Sequence, residues 1–220
     1  MTPSDPLHPD PLQPDLLPPS PIPFNSLSPG DSPTHEMVWD PFVRIFHWSL
    51  VAFVVLAYIT EDDWLTLHSF AGYAITGLLL FRICWGLIGS RYARFSSFVA
   101  KPSSVIDYLK SLFGGHPKHF TGHNPAGGAM VFLLLMMLLL IVFTGMATLA
   151  TEGSGPLAST FFAQFSEDVL EDIHEALADF LMLLILLHIG GVIVSSFIHR
   201  ENLVRAMLDG RKKVHSEKSS

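Results

Sequence analysis

The sequence predicts an all-α membrane protein. It reads as a bundle of four transmembrane helices with both termini on the cytoplasmic side, preceded by a disordered proline-rich tail. Three observations carry that expectation. Of 220 residues, 49% are hydrophobic and only 15% charged, and the mean hydropathy of +0.40 is too apolar for an ordinary soluble domain. Four apolar runs lie between residues 42 and 198, each near the ~20 residues that cross a ~30 Å hydrocarbon layer as a helix. Lys and Arg are also divided unevenly among the connecting segments.

Residues 1–36 contain eleven prolines. Proline removes backbone donors and fixes φ, so this segment is expected to be disordered. It has neither the basic start nor the apolar core of a signal peptide, and is expected to stay on the side where it was made.

The membrane domain is placed at residues 38–210. Its first span, about 42–60, reads "FVRIFHWSLVAFVVLAYIT", and the second, about 67–89, reads "LHSFAGYAITGLLLFRICWGLIG". The third, about 126–149, reads "AGGAMVFLLLMMLLLIVFTGMATL", and the fourth, about 173–198, reads "IHEALADFLMLLILLHIGGVIVSSFI". Helices suit such runs because lipid cannot satisfy loose backbone groups. In the loop at 90–125, "VIDYLKSLFGG" has helical apolar spacing and is read as a short helix on the membrane surface, and "PLASTFFAQF" is read likewise on the opposite side.

Charge sets the expected orientation. All thirteen Lys and Arg lie outside the loops joining spans one to two and three to four, which are acidic. The loop at 90–125 holds five of them, and the C-terminal segment, whose end at 211–220 reads as a basic tail, holds six. The positive-inside rule then puts this loop and both termini in the cytoplasm of a bacterial inner membrane. Trp48, Trp85 and Tyr92 fall near the inner interface and Trp64 near the outer one, as an aromatic belt requires. The net charge of −7 arises largely from six acidic residues among the first forty, and the distribution does not suit nucleic acid. The single cysteine, Cys84, excludes an intramolecular disulfide, a cysteine-based metal cluster and thioether attachment of haem.

The histidines form a pattern in depth. His47 lies near the cytoplasmic end of span one, and His68 and His174 open spans two and four at the outer end. His188 follows His174 by fourteen residues, which is ~21 Å along a helix and about 40° short of four full turns. The two therefore share a face of span four. An outer pair, His68 with His174, and an inner pair, His47 with His188, suit the axial ligation of two stacked haems. His188 is the most informative member, because a polar residue so deep is a functional candidate by default.

Neighbouring residues extend the pattern. Gly72, Gly77 and Gly191 follow the histidines and would let a helix approach a flat porphyrin, although glycine also serves plain helix packing. Arg44, three residues before His47, and Arg82, inside span two, are candidate partners for haem propionates. Their alternatives are a positive-inside anchor for Arg44 and snorkelling to lipid phosphate for Arg82. In "GGHPKHFTGHNP", His116, His119 and His123 are too irregular, around Pro117, to favour a metal site, while His123 is a candidate support for the inner haem or a quinone.

The stretches "WDPFVRIFHW", "LHSFAGYAITGLLLFRICWG", "TGHNPAGGAMVF", "DIHE" and "LHIGGVIVSSFIHREN" together resemble the prokaryotic cytochrome b561 family, which includes the b-type cytochrome subunits of nickel–iron hydrogenases. The resemblance runs in order over about 38–210. It implies a four-helix, inner-membrane electron carrier with two b haems, whose ligands fall on His47, His68, His174 and His188. Hydrogenase-linked members often carry an extra helix that this chain lacks.

The resulting expectation is an electron-transfer cytochrome working between ubiquinone or menaquinone in the bilayer and a periplasmic redox protein. That protein is a cytochrome c or a dehydrogenase or hydrogenase subunit, and a homodimer is left open. One alternative is a quinone-linked oxidoreductase acting on superoxide, though acidic outer loops would not guide an anion. Another is a haem-free helical scaffold or transporter subunit.

Overall fold

The computed structural model describes residues 34–61, 63–114, 120 and 122–214. Among these residues, four helices are long and apolar enough to cross a membrane: α1 (Pro41–Ile59), α2 (Leu65–Ile88), α4 (Pro125–Thr151) and α5 (Glu167–His199). Each contains a predicted span to within a few residues, with a modest extension at one or both ends of α4 and α5. With 19 residues, α1 is ~28 Å long and just matches the hydrocarbon thickness. With 33 residues, α5 is ~50 Å long and extends beyond it, which accommodates the acidic first turn at Glu167 and Asp168 outside the apolar layer.

The chain rises and falls through α1, α2, α4 and α5. Helix α1 packs on α2, α4 on α5, and α2 against α4. The shared core is an apolar layer of Ile75, Leu79, Met137, Leu138, Val142, Leu181 and Leu184, covered from α1 by Leu50, Phe53, Val54 and Ala57. Most other span surface faces outward and is apolar, as at Ile88 and Phe197, each 80% exposed. A hydrocarbon solvent accepts such surface without cost, so these helices need bury only the stripe that packs on a neighbour.

Helix α3 (Pro102–Phe113) is the short helix expected in the 90–125 loop, and it docks on the bundle through the buried Tyr108. On the opposite side, "PLASTFFAQF" forms only turns and a 3₁₀ segment at Phe161–Gln164. Gly155, with φ of 76°, precedes Pro156, and such a backbone does not continue as helix. A further helix, α6 (Leu203–Asp209), follows α5 through the left-handed Arg200.

Sequence periodicity did not announce a two-stranded antiparallel ribbon. Its strands are β1 (Thr34–Met37) and β2 (Arg211–Val214), with Thr34 opposite Val214 and Met37 opposite Arg211. Thr34 to Glu36, assigned above to the disordered tail, are thus in a strand, as are Arg211 to Val214 of the basic tail. Four residues per strand give too little alternation to read, and the pairing joins segments far apart in sequence. The ribbon is tied to the bundle by Val38 and Trp39, whose N–H groups both donate to the carbonyl of Gly210. The rest of the proline-rich tail lies outside the described residues.

The start of α1 is fixed by Asp40, immediately before Pro41. Asp40 Oδ1 accepts from Val43 N at 2.9 Å, satisfying a free donor of the first turn, and proline at the first position is pre-set for a helix. Its other oxygen accepts from Trp85 Nε1 at 3.2 Å and from the Ser90 hydroxyl, so one carboxylate clamps the start of α1 to the end of α2. Partial burial opposes its ionisation, but the hydrogen bonds from Ser90, Val43, Trp85 and Phe42 outweigh that and hold the carboxyl below its ordinary range.

Asp40→Ala is expected to lower stability by about 1–2 kcal/mol, read as a fall in thermal midpoint in detergent. Asp40→Asn keeps the cap but cannot ionise. Because the native carboxyl titrates below its unfolded value, its stabilisation is fully present above the ordinary carboxylate range and lost as pH falls through the native one. The lead of wild type over Asp40→Asn should therefore close on acidification; a constant lead would rule out the clamp as an ionised group.

A paired-histidine centre

At the end of the bundle away from the ribbon, His68 near the start of α2 and His174 in the first turns of α5 face one another. Their ring centroids are 6.0 Å apart, with planes at 79°. Each ring is oriented through Nδ1. His68 Nδ1 lies 2.9 Å from the carbonyl oxygen of Ala57, which can only accept, so Nδ1 carries the proton. That carbonyl sits in the last turn of α1, where it also accepts from Thr60 N and Thr60 Oγ1, each at 3.3 Å.

His174 Nδ1 lies 3.0 Å from Thr144 Oγ1 on α4, and the Thr144 hydroxyl donates to the carbonyl of Ile141 at 3.0 Å. A hydroxyl has one proton, so Thr144 accepts from His174, and Nδ1–H is again the donor. In both rings Nε2 keeps its lone pair, the tautomer that metal-bound histidine adopts when Nδ1 is held by the protein.

A metal–imidazole bond of about 2 Å puts two rings on opposite sides of one ion with centroids roughly 6 Å apart. The separation of His68 and His174 matches that spacing. Gly145 on α4 makes room for the arrangement: a methyl group there would stand 3.1 Å from His174 Cε1. Thr144 and Gly145 escaped sequence reading because both sit in an unbroken apolar run. Their one signal is the "TG" step in span three, which gains meaning only when α4 is seen against α5.

Toward the ribbon end lie His47, on α1, and His188, on α5. His47 Nδ1 is buried and has no hydrogen-bond partner, so the ring keeps binding capacity that the surrounding protein does not use. The apolar core layer lies between this pair and the outer one, with Leu181 seven residues from each α5 histidine.

The glycines expected at the site differ from Gly145. A methyl group at Gly72, Gly77 or Gly191 would meet no protein atom within 4 Å. Gly72 and Gly191, about one turn from His68 and His188, thus leave open backbone surface near those rings, while Gly77 stands nine residues from His68.

The arginines are placed by the ribbon end. Arg44 donates through Nη2 to the carbonyl of Leu208 near the end of α6, where cations suit the helix dipole, while its buried Nε has no partner. Arg82 is 4% exposed; Nη2 donates to the Ala93 carbonyl at 3.0 Å, and the guanidinium lies over Phe95 and Phe98. It does not reach out along the lipid surface. His123 packs against Trp39 at 4.5 Å and Phe98 at 4.8 Å between ring centroids, and His116 and His119 lie outside the described residues.

A transmembrane helical bundle with imidazoles paired across its interior is the architecture of a b-type membrane cytochrome. The family model described as prokaryotic cytochrome b561 matches residues 38–210, the whole of the four-helix domain, and the chain belongs to that family. It is a multi-pass bacterial membrane protein of electron transfer, and its family implies b-type haem. Comparisons with curated proteins and with solved structures gave no match.

Gly145→Val is expected to push the His174 ring away from His68, because α4 backbone cannot retreat as a flexible side chain would. Haem per chain, measured as the pyridine haemochrome, should fall, and should fall less in Gly145→Ala, whose single methyl meets the His174 ring at 3.1 Å. Full haem content in Gly145→Val would show that the ring position is not critical.

Proposed function

We propose that the protein holds two b haems, one between His68 and His174 and one between His47 and His188. It passes electrons across the bacterial inner membrane between the quinone pool, ubiquinone or menaquinone, and a redox partner at the opposite face. The observation that carries the proposal is the His68–His174 pair: two rings at ligating separation, each with Nδ1 committed to the protein and Nε2 free. When bound, the haems would supply one-electron chemistry, and His68, His174, His47 and His188 would hold their irons.

The chain's own residues do the rest. Ala57 and Thr144 orient the outer rings by accepting from Nδ1–H. His174 and His188 sit ~21 Å apart on one rigid helix, dividing a crossing of ~30 Å into shorter hops. The Leu79, Met137, Leu138 and Leu181 layer keeps water from the space between them. Arg44, with a buried Nε lacking a partner, is the donor for an anionic group at the ribbon end.

The positive-inside bias supports cytoplasmic termini, which puts the His68–His174 pair on the periplasmic side, nearer a soluble partner. A cytochrome c or a dehydrogenase or hydrogenase subunit fits that place, and the acidic start of α5, with Glu167, Asp168, Glu171 and Asp172, favours a basic docking face.

His188→Ala should halve haem per chain and remove one wave of a redox titration, leaving the other near its original potential. Retention of both haems would refute the inner assignment. Thr144→Val should leave both haems bound but raise the midpoint potential of one, since a less basic imidazole stabilises the oxidised iron less. An unchanged titration would remove Thr144 from the site.

A further inference from the structure

The segment joining α4 to α5 is uncharged from Gly153 to Ser166, although Glu152 precedes it and Glu167 and Asp168 follow it. Within it Phe161, Phe162 and Phe165 form one cluster, with ring centroids 4.2 Å apart for Phe161 and Phe162 and 5.9 Å apart for each of the other two pairs. Phe161 is 62% exposed and Phe165 50%. Phe162 seats the cluster on α4, its ring 5.2 Å from that of Phe143. Adjoining aromatic surface of this kind marks a contact with something other than water.

The depth of Phe143 identifies that contact. Helix α4 has 27 residues, Pro125–Thr151, centred on Leu138. About 20 of them fill a ~30 Å hydrocarbon layer, so the layer ends near Thr148 and leaves Phe143 ~7 Å inside it. Phe143 is itself exposed, on the lipid-facing flank of α4. We propose that the rings of Phe161 and Phe165 enter the acyl-chain region of the leaflet at the His68–His174 end, while the backbone that carries them stays at the boundary. The partner of this surface is phospholipid acyl chain.

Two further features fit that partner. Backbone groups near hydrocarbon must find partners within the protein. Here the N–H groups of Ala158, Thr160, Ala163 and Phe165 donate to the carbonyls of Gly155, Leu157, Thr160 and Phe162. The Thr160 hydroxyl donates to the carbonyl of Leu157 at 2.6 Å and accepts from Phe162 N at 3.4 Å. The segment also has three phenylalanines and no Trp or Tyr. Trp and Tyr carry a polar tip that holds them at head-group level, whereas a phenyl ring has none and suits the acyl chains beneath.

The experiment uses the full-length protein with its native haem content, in phosphatidylcholine vesicles. In a Cys84→Ala background, nitroxide labels are attached in turn to Phe161→Cys, Phe165→Cys and Glu152→Cys, each checked for an unchanged haem spectrum. Relaxation of the label by oxygen, which partitions into lipid, and by a water-soluble nickel chelate is measured relative to nitrogen. At positions 161 and 165 the effect of oxygen should exceed that of nickel severalfold, and at position 152 the order should reverse.

A nickel effect at 161 and 165 as large as that at 152 would place the cluster in water and overturn the proposal. Weak relaxation by both agents would also overturn it, and would assign the cluster to contact with a second copy of this chain. The unsubstituted protein gives an independent check. Phospholipid carrying a diazirine on its acyl chain should label residues 161–165 on illumination, and labelling confined to the four spans would refute the insertion.

Discussion

The organising constraint is the cost of an imidazole in hydrocarbon. A neutral histidine brings one donor and one acceptor into a region that offers neither. In the outer pair the protein settles only half of that demand. The Nδ1 donors go to the carbonyl of Ala57 and the hydroxyl of Thr144, which leaves the Nε2 lone pairs for another partner. A bundle that satisfied both nitrogens would be a better-sealed structure and could not be a cytochrome.

The details of the helices follow from this. Helix α1 ends at Ile59, and the carbonyl of Ala57 in its last turn is what reaches His68. Thr144 passes its proton back to Ile141 within its own helix, which leaves its oxygen to accept from α5. Gly145 admits the ring beside it. Contacts from α1 and α4 therefore fix the rings carried by α2 and α5, and the apolar layer around Leu181 separates them from the second pair.

At the other end the structure is held by contacts between segments that sequence places far apart. Asp40 joins the start of α1 to Trp85 and Ser90. Arg44 reaches α6, and the carbonyl of Gly210 takes two donors from residues 38 and 39. These polar ties lie where the helices leave the apolar layer, so the bundle is closed at its ends by directional bonds while its flanks are left to the lipid. Arg82, Phe95 and Phe98 belong to the same end and bring the loop after α2 down onto the bundle.

The sequence by itself determined the spans and the level of each histidine. Apolar runs of bilayer length have one solution for their backbone, and rise per residue turns the interval from His174 to His188 into a depth. The partners of those rings were decided only by tertiary structure. Ala57, Thr144 and Gly145 carry no mark in an apolar run, because a carbonyl, a hydroxyl and a missing side chain gain meaning from what another helix brings against them. The ribbon of β1 and β2 was hidden for a related reason: strand pairing is a contact between distant segments, and four residues leave no period to read. Arg82 was visible as a charge in an apolar helix, but its turn toward Ala93 and α4 depends on how the following loop folds back, which no local pattern encodes.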